Sequence, residues 1–360
     1  MTLSREVSPY ASNASISSAL VEHKVYLSFC FSFFVLSYLF LKFFIDYTGY
    51  EFILGGVLFF LNLWIFSLIN LSIYVCQTLW RDRPEGSPIM HSYRSVRRDF
   101  FSNGNGWRML TAAIGISLVI SAFLVVKASI PKVIPFSYDI AFEELDRTMH
   151  FGFLPWDLLQ PLLGYEWVTL YLHKAYYLWF PAIYATFFWQ VASRKNNQLR
   201  MQFIFSFVAC WALIGGVMAT LLSSAGPIYF SQVLPGSSDV YGPAMGYLQE
   251  LNEKHGLYMF EIKEILWNNY VSLHSNGPVK GISAMPSMHV SIAFLLALFG
   301  WRHSRLFGIV FSIFFVTIFL GSIHLLWHYA IDGYVSILAT AIIWIVCGKI
   351  SKLTYENNSV

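Results

Sequence analysis

Charge is scarce in this chain. Only 12% of its 360 residues are Asp, Glu, Lys or Arg, about half the share usual in soluble domains. Hydrophobic residues make up 56% and aromatic residues 18%. That composition excludes a soluble globular protein and a disordered one, and it indicates a polytopic membrane protein. Cysteine is sparse too. Cys30, Cys76, Cys210 and Cys347 stand alone in or beside apolar runs, without the spacing of a disulfide framework or a zinc site, and read as packing residues. The net charge of +3 carries no nucleic-acid signature, because the basic residues follow the loops of a membrane protein and need no further partner. The polar, Ser-rich start up to Lys24 has no small-residue cleavage site. The run behind it is too long for a signal-peptide core and reads as a first span.

Runs of about twenty apolar residues mark bilayer-spanning helices. Eight are expected: Val25–Ile45, Phe52–Val75, Met109–Ile130, Trp167–Ala192, Phe203–Leu222, Ala284–Trp301, Leu306–Leu326 and Tyr329–Lys349. The loops between them sort by charge. Arg81, Arg83, Arg94, Arg97, Arg98 and Arg108 lie in one, Arg194, Lys195 and Arg200 in another, Arg302 and Arg305 in a third, and Lys349 and Lys352 follow the last run. The alternate loops are acidic or mixed, with Asp46 and Glu51, then Asp139, Glu143, Glu144 and Asp146, then Asp239, Glu250, Glu253 and Glu261. The positive-inside rule therefore places both termini in the cytoplasm. The expected location is an integral, multi-pass protein of the bacterial inner-membrane type.

Two polar motifs interrupt the apolar C-terminal half. They are Pro286-Ser287-Met288-His289 and His328-Tyr329-Ala330-Ile331-Asp332. Ionisable groups at a membrane boundary are costly and mark functional sites. The orientation puts both motifs on the outer face. Ser287 is a good helix cap, so His289 sits in a first helical turn, where anions are favoured. His324, His328 and Asp332 repeat at helical spacing and would share a drifting face. Asp332, one turn from His328, can hold its ring and fix the tautomer. His289 can protonate a leaving oxygen. The same His324, His328 and Asp332 could also form a helical ligand face in a transporter or metal-binding membrane protein.

Pro-Ser-x-His, followed some forty residues later by His-Tyr-x-x-Asp at the start of the next-but-one span, resembles the type 2 phosphatidic acid phosphatase superfamily. Met288, where that superfamily usually has Gly, and Tyr329 after the second His are more similar to its inositol phosphorylceramide synthase branch, the aureobasidin-target family. The resemblance covers mainly residues 165–350. It implies an all-α helical bundle whose last six spans form the catalytic core. It further implies metal-independent chemistry, without a cofactor, on a lipid phosphate ester in the bilayer. In that chemistry His328 would attack phosphorus to give a phosphohistidine, Asp332 would orient it, and His289 would be the general acid. A hydroxyl compound or water would accept the phosphoryl group.

The resemblance is incomplete. The superfamily's first motif, a Lys followed seven residues later by Arg-Pro, is absent near the site. Arg83-Pro84 has Cys76 at the Lys position and lies on the cytoplasmic side. Gly321-Ser322 stands where Ser-Arg usually precedes the nucleophile. A cation must still balance the phosphate, and the candidates are Lys174 and Lys280. Ser287, His324 and Tyr329 are further substrate-binding candidates, and His173 is either a site or a packing residue.

The expected organisation has a polar tail (1–24), a two-span extension with a basic loop (25–107), a six-span core (108–350) and a short tail (351–360). Within the core, residues 136–164, containing Asp146-Arg147-x-x-His150, read as an outer interfacial segment. Residues 224–283 read as an outer cap that shapes the acceptor site. The Ser224–Tyr229 turn at its start either lines the head-group pocket or simply ends a helix.

Overall fold

The computed structural model describes residues 16–45, 57, 68, 71–101, 105–193, 196–236, 239–272 and 281–357. The fold is all-α, with no strand among the described residues. In chain order the helices are α1 (Ile16–Glu22), α2 (Lys24–Ile45), α3 (Pro88–Val96), α4 (Asn105–Val133), α5 (Asp139–Met149), α6 (Pro155–Leu163) and α7 (Glu166–Ala192). Helix α8 starts as Asn197–Ala209, widens to π geometry over Cys210–Met218 and closes as Ala219–Leu221. Then follow α9 (Gly242–His255), α10 (Tyr258–Val271), α11 (Met288–His303), α12 (Arg305–His324) and α13 (Ala330–Asn357).

Five helical stretches are long and apolar enough to cross a membrane: Lys24–Ile45, Gly106–Val133, Asn197–Leu221, Arg305–His324 and Ala330–Thr354. They match the first, third, fifth, seventh and eighth expected spans. Most of the second expected span lies outside the described residues. The fourth corresponds to α7, whose 27 residues include Glu166 and Lys174. The sixth is shorter than expected. Helix α11 has 16 residues and begins at Met288 rather than Ala284, because Ser287 adopts extended backbone and accepts from Val290 N with its side chain, stopping the helix there.

From α4 onward the chain direction alternates from one long helix to the next, so one end of the bundle gathers particular helix termini. The C-terminal halves of α4 and α12 meet the N-terminal ends of α7, α11 and α13 there. Helices α11 and α12 form a tight hairpin in which Ser304 ends one helix and caps the next, accepting from Phe307 N. Gly300 lies against the Phe307 backbone and Gly308 against the Trp301 ring, and a Cβ at either would clash. The π stretch of α8 has a similar packing reason. A Cβ on Gly215 would strike Phe123 and the Met288 side chain, so the absent side chain makes room for the first turn of α11.

The opposite end of the bundle is basic and partly buried. Arg200 is fully buried, with its guanidinium donating to Val191 O and 3.3 Å from His23 Nε2. Arg108 donates to Glu22 at 2.5 Å, and His23 Nδ1 lies 2.5 Å from the Thr111 hydroxyl. Burial, with Arg200 beside it, pushes the His23 imidazole down to about 4. This cluster ties the N-terminal helices to α4, α7 and α8.

Two short helices, α5 and α6, cover the other end. The outward face of this segment exposes Ile140, Leu145, Met149, Phe151 and Phe153, while Asp139, Phe142, Glu143 and Asp146 are buried. That two-sidedness is the pattern of a helix lying at a membrane edge. Within residues 224–283 the chain forms the helix pair α9 and α10. It is pinned to α7 by His255 to Glu166 at 2.8 Å and by Met259 N donating to His173 Nε2. His173 therefore serves packing.

Candidate active site

His328 stands in the short non-helical link between α12 and α13, and is only 7% exposed. Its Nδ1 lies 2.8 Å from the carbonyl oxygen of Ala284 and 3.2 Å from Asp332 Oδ2. A carbonyl oxygen only accepts, so Nδ1 carries the proton and Nε2 keeps its lone pair. That is the tautomer a nitrogen nucleophile requires. Asp332 Oδ2 also accepts from Tyr329 N at 3.0 Å, which closes the first turn of α13 on itself. Ser336 donates to Asp332 O, and Ser287 N lies 3.4 Å from the same carbonyl. The two polar motifs are thus joined through backbone as well as side chains.

His289 faces His328, with ring centroids 6.2 Å apart. It is held by aromatic stacking, at 4.3 Å from Tyr176 and 4.4 Å from Trp179. Such ring pairs contribute about 0.5–1.5 kcal/mol each beyond their buried area. Trp179 Nε1 donates to the His289 carbonyl at 2.9 Å, which locks the backbone beneath the ring. No described residue hydrogen-bonds the His289 ring nitrogens, so they are available to a substrate.

Lys127, in the last third of α4, is a candidate cation for this site. Its charge acts on both His289 and His328, and no described residue forms an ion pair with it. Gly281, at φ +81°, lies so close to the Lys127 and Ala128 backbone that a Cβ would meet it at 2.6 Å. That approach seats the segment leading to Ser287 against α4. The sequence held one signal. Pro135 follows Lys127 by eight residues, with Ile134 where the superfamily's Arg would stand.

The other candidates are placed differently. Lys174 is exposed on α7 and makes no hydrogen bond or ion pair to the site. Lys280 lies outside the described residues. His324 does not share a face with His328 and Asp332, because α12 ends there and Leu326 turns to φ +60°. Its Nε2 instead lies 2.8 Å from Thr169 Oγ1, and its ring stacks on Trp156. The helical ligand face expected for a metal site is therefore absent. Among the described residues no group of three His, Cys, Asp or Glu could hold a metal ion. Tyr329 is buried, and its hydroxyl donates to Asp139 Oδ1 at 2.9 Å, so it points into support rather than toward substrate. Ser287 is fully buried and occupied as the α11 cap.

The Ser224–Tyr229 turn acts as a strut. Ser224 accepts from Ala284 N with its carbonyl at 3.0 Å and from Met285 N with its hydroxyl at 3.1 Å. Ile228 N donates to Leu326 O. Gly226, at φ +94°, lies against the Trp327 carbonyl and Ala284 Cβ, leaving no room for a side chain. The turn thus braces both motif-bearing segments.

A family model described as the PAP2 superfamily matches residues 141–346. The chain belongs to the PAP2 superfamily. Comparison with curated proteins and with solved structures gives no match. Membership and the apolar helices together make this a membrane protein of phosphatase type, with activity directed at a lipid phosphate. The PAP2 match spans α5 to α13 and contains both histidine motifs. It leaves Lys127 outside its N-terminal limit.

Proposed function

We propose that this PAP2 protein is a lipid phosphatase or phosphotransferase that works through a phosphohistidine on His328. The supporting observation is the Nδ1 contact of His328 with the Ala284 carbonyl, which leaves Nε2 as a free lone pair beside His289 and Lys127. In the first step Nε2 bonds to phosphorus while the bond from phosphorus to the lipid oxygen breaks. The departing oxygen takes a proton from His289. In the second step water or an alcohol gives its proton back to His289 and attacks phosphorus, and the bond to Nε2 breaks. Asp332 offsets the positive charge that develops on the His328 ring. Lys127, together with the N-terminal dipole of α11, faces the phosphate oxygens.

The site would face the outer side of the membrane, with the basic end of the bundle in the cytoplasm. Charge asymmetry supports this orientation, since Arg108, Arg200, Arg302 and Arg305 stand at helix ends opposite the histidines. Met288 and Tyr329 favour an inositol phosphorylceramide synthase-like specificity, with a phosphodiester lipid as donor and a hydroxyl acceptor. The pair α9 and α10 would shape the acceptor side, and the chemistry would need no metal.

The test is purified protein incubated with labelled phosphatidate and phosphatidylinositol, with and without diacylglycerol, ceramide, inositol and glycerol, with products resolved by mass. A product that carries the phosphoryl group on an added acceptor identifies a transferase, and inorganic phosphate identifies a phosphatase. Turnover should persist in chelator and stop with vanadate. An alkali-stable, acid-labile phosphoprotein that forms in wild type should be missing in His328→Ala. Turnover that chelator abolishes, with no such phosphoprotein, would overturn the reading.

A further inference from the structure

Helix α5 buries three carboxylates that none of the reaction steps uses: Glu143 is paired with Arg147, and Asp139 and Asp146 are not. Asp139 and Asp146 are seven residues apart, hence on one face of the helix, and each is 1% exposed. Neither forms an ion pair among the described residues. Asp139 accepts from Ala225 N at 3.0 Å, Gly226 N at 2.8 Å and the Tyr329 hydroxyl at 2.9 Å. Asp146 accepts from Ala330 N at 2.8 Å and Ile331 N at 2.9 Å. A buried carboxylate without a cation is tolerated only when hydrogen-bonded in this way.

All five donors lie on segments that flank His328. Tyr329, Ala330 and Ile331 follow it directly, and the bonds from Ala330 N and Ile331 N satisfy the exposed N–H groups at the start of α13. Ala225 and Gly226 belong to the turn that packs against Trp327 and Ala284, the residues that precede and contact His328.

We propose that Asp139 and Asp146 are positioning residues that hold the nucleophile loop in register with His289, so that the membrane-edge helix α5 sets the reactivity of His328. This rests on the reading of His328 as the nucleophile. Neither carboxylate touches the reacting atoms, and their effect is on geometry. Displacement of a reacting group by about 1 Å costs on the order of 10²-fold in rate.

The proposal carries a pH signature. Burial pushes the Asp146 carboxyl up to about 6, against the two backbone N–H groups that pull it down. Asp332 on α13 raises it further and His150 lowers it. Tyr241 before α9 and Tyr334 on α13 also face it, with Glu143 and Arg147 on its own helix. As pH falls through about 6 the carboxyl takes a proton, its grip on Ala330 and Ile331 weakens, and turnover falls. A carboxyl raised in the folded state binds that proton more readily than it does unfolded, so this group does not lower stability as pH falls. Activity and thermal midpoint should therefore part company on the acid side.

The experiment uses the full chain in detergent with short-chain phosphatidate, and compares Asp146→Asn, Tyr329→Phe and His328→Ala. Asp146→Asn should lower kcat by about 10–100-fold, with KM and thermal midpoint near wild type. It should also lose the acid limb near pH 6, because Asn does not titrate. Tyr329→Phe removes only the Asp139 contact and should lower kcat by about 3–10-fold at unchanged KM. If Asp146→Asn fails to fold, Tyr329→Phe decides the matter, and wild-type kcat there overturns the proposal. Wild-type turnover with an unchanged acid limb in folded Asp146→Asn, beside an inactive His328→Ala, would overturn this inference alone. Activity in His328→Ala would remove the nucleophile assignment and this inference with it.

Discussion

The carbonyl oxygen of Ala284 lies 2.8 Å from His328 Nδ1, closer than the Asp332 carboxylate at 3.2 Å. A backbone group from the segment before α11 thus fixes the tautomer of a histidine at the start of α13. The Asp332 carboxylate is left to stabilise ring charge and to close the Tyr329 turn. The two roles can be separated. His328→Ala should abolish turnover. Asp332→Asn should keep Nδ1 protonated through Ala284 and lower kcat by about 10²-fold, the lower range for a positioned group. That is less than the roughly 10⁴-fold lost when a triad histidine takes the wrong tautomer. Steady-state kinetics on the two purified variants check this, and equal inactivity would mean that Asp332, not Ala284, sets the tautomer.

His289 has no hydrogen-bonded partner for its ring among the described residues, and its place depends on stacking between Tyr176 and Trp179. As the general acid it matters in proportion to how poorly the departing oxygen leaves. His289→Ala should therefore lower kcat/KM for a lipid ester by about 10²–10⁴-fold while largely sparing a nitrophenyl phosphate. Equal losses on both substrates would assign His289 to binding instead.

The sequence made the helices legible because a bilayer leaves a plain record, runs of apolar residues with charges between them. The two histidine motifs were legible for the same reason, as polar groups in oily surroundings. What stayed hidden depends on partners far apart in the chain. Asp146 satisfies backbone groups 184 and 185 residues away, and no local spacing encodes that. Lys127 sits inside the apolar stretch of α4, where a lone Lys looks like a snorkelling side chain. His324 was misplaced because helical spacing was extended through Leu325 and Leu326, where the chain turns to positive φ. Neither residue announces a helix end.

Lys127 and Lys174 give opposite expectations. A phosphate dianion at low dielectric needs a cation, and among the described residues Lys127 is the Lys whose charge bears on both histidines. Lys127→Met should raise KM and lower kcat together, since the charge would serve both the bound ester and the transition state. Lys127→Arg should recover only part, because a planar fork does not replace a compact ammonium. Lys174→Met, on an exposed surface of α7, should behave as wild type. The kinetic constants of the three variants check the assignment, and a defect in Lys174→Met with none in Lys127→Met would reverse it.

Orientation can be read with single cysteines. Of the four native cysteines, Cys30, Cys210 and Cys347 are buried and Cys76 is exposed, so Cys76→Ser gives a quiet background. Glu144 is exposed on α5 at the site end, and Arg302 is exposed at the far end of α11. In the proposed orientation the end away from the histidines, with its excess of Lys and Arg, lies in the cytoplasm. An impermeant maleimide should then label Glu144→Cys in intact cells, and label Arg302→Cys only after permeabilisation. The consequence is chemical as well as topological. A site on the outer face meets lipids of the outer leaflet and releases its products there, whereas an inward site would draw on cytoplasmic ones. Labelling of Arg302→Cys in intact cells, with Glu144→Cys protected, would invert the orientation and move the proposed substrate to the cytoplasmic leaflet.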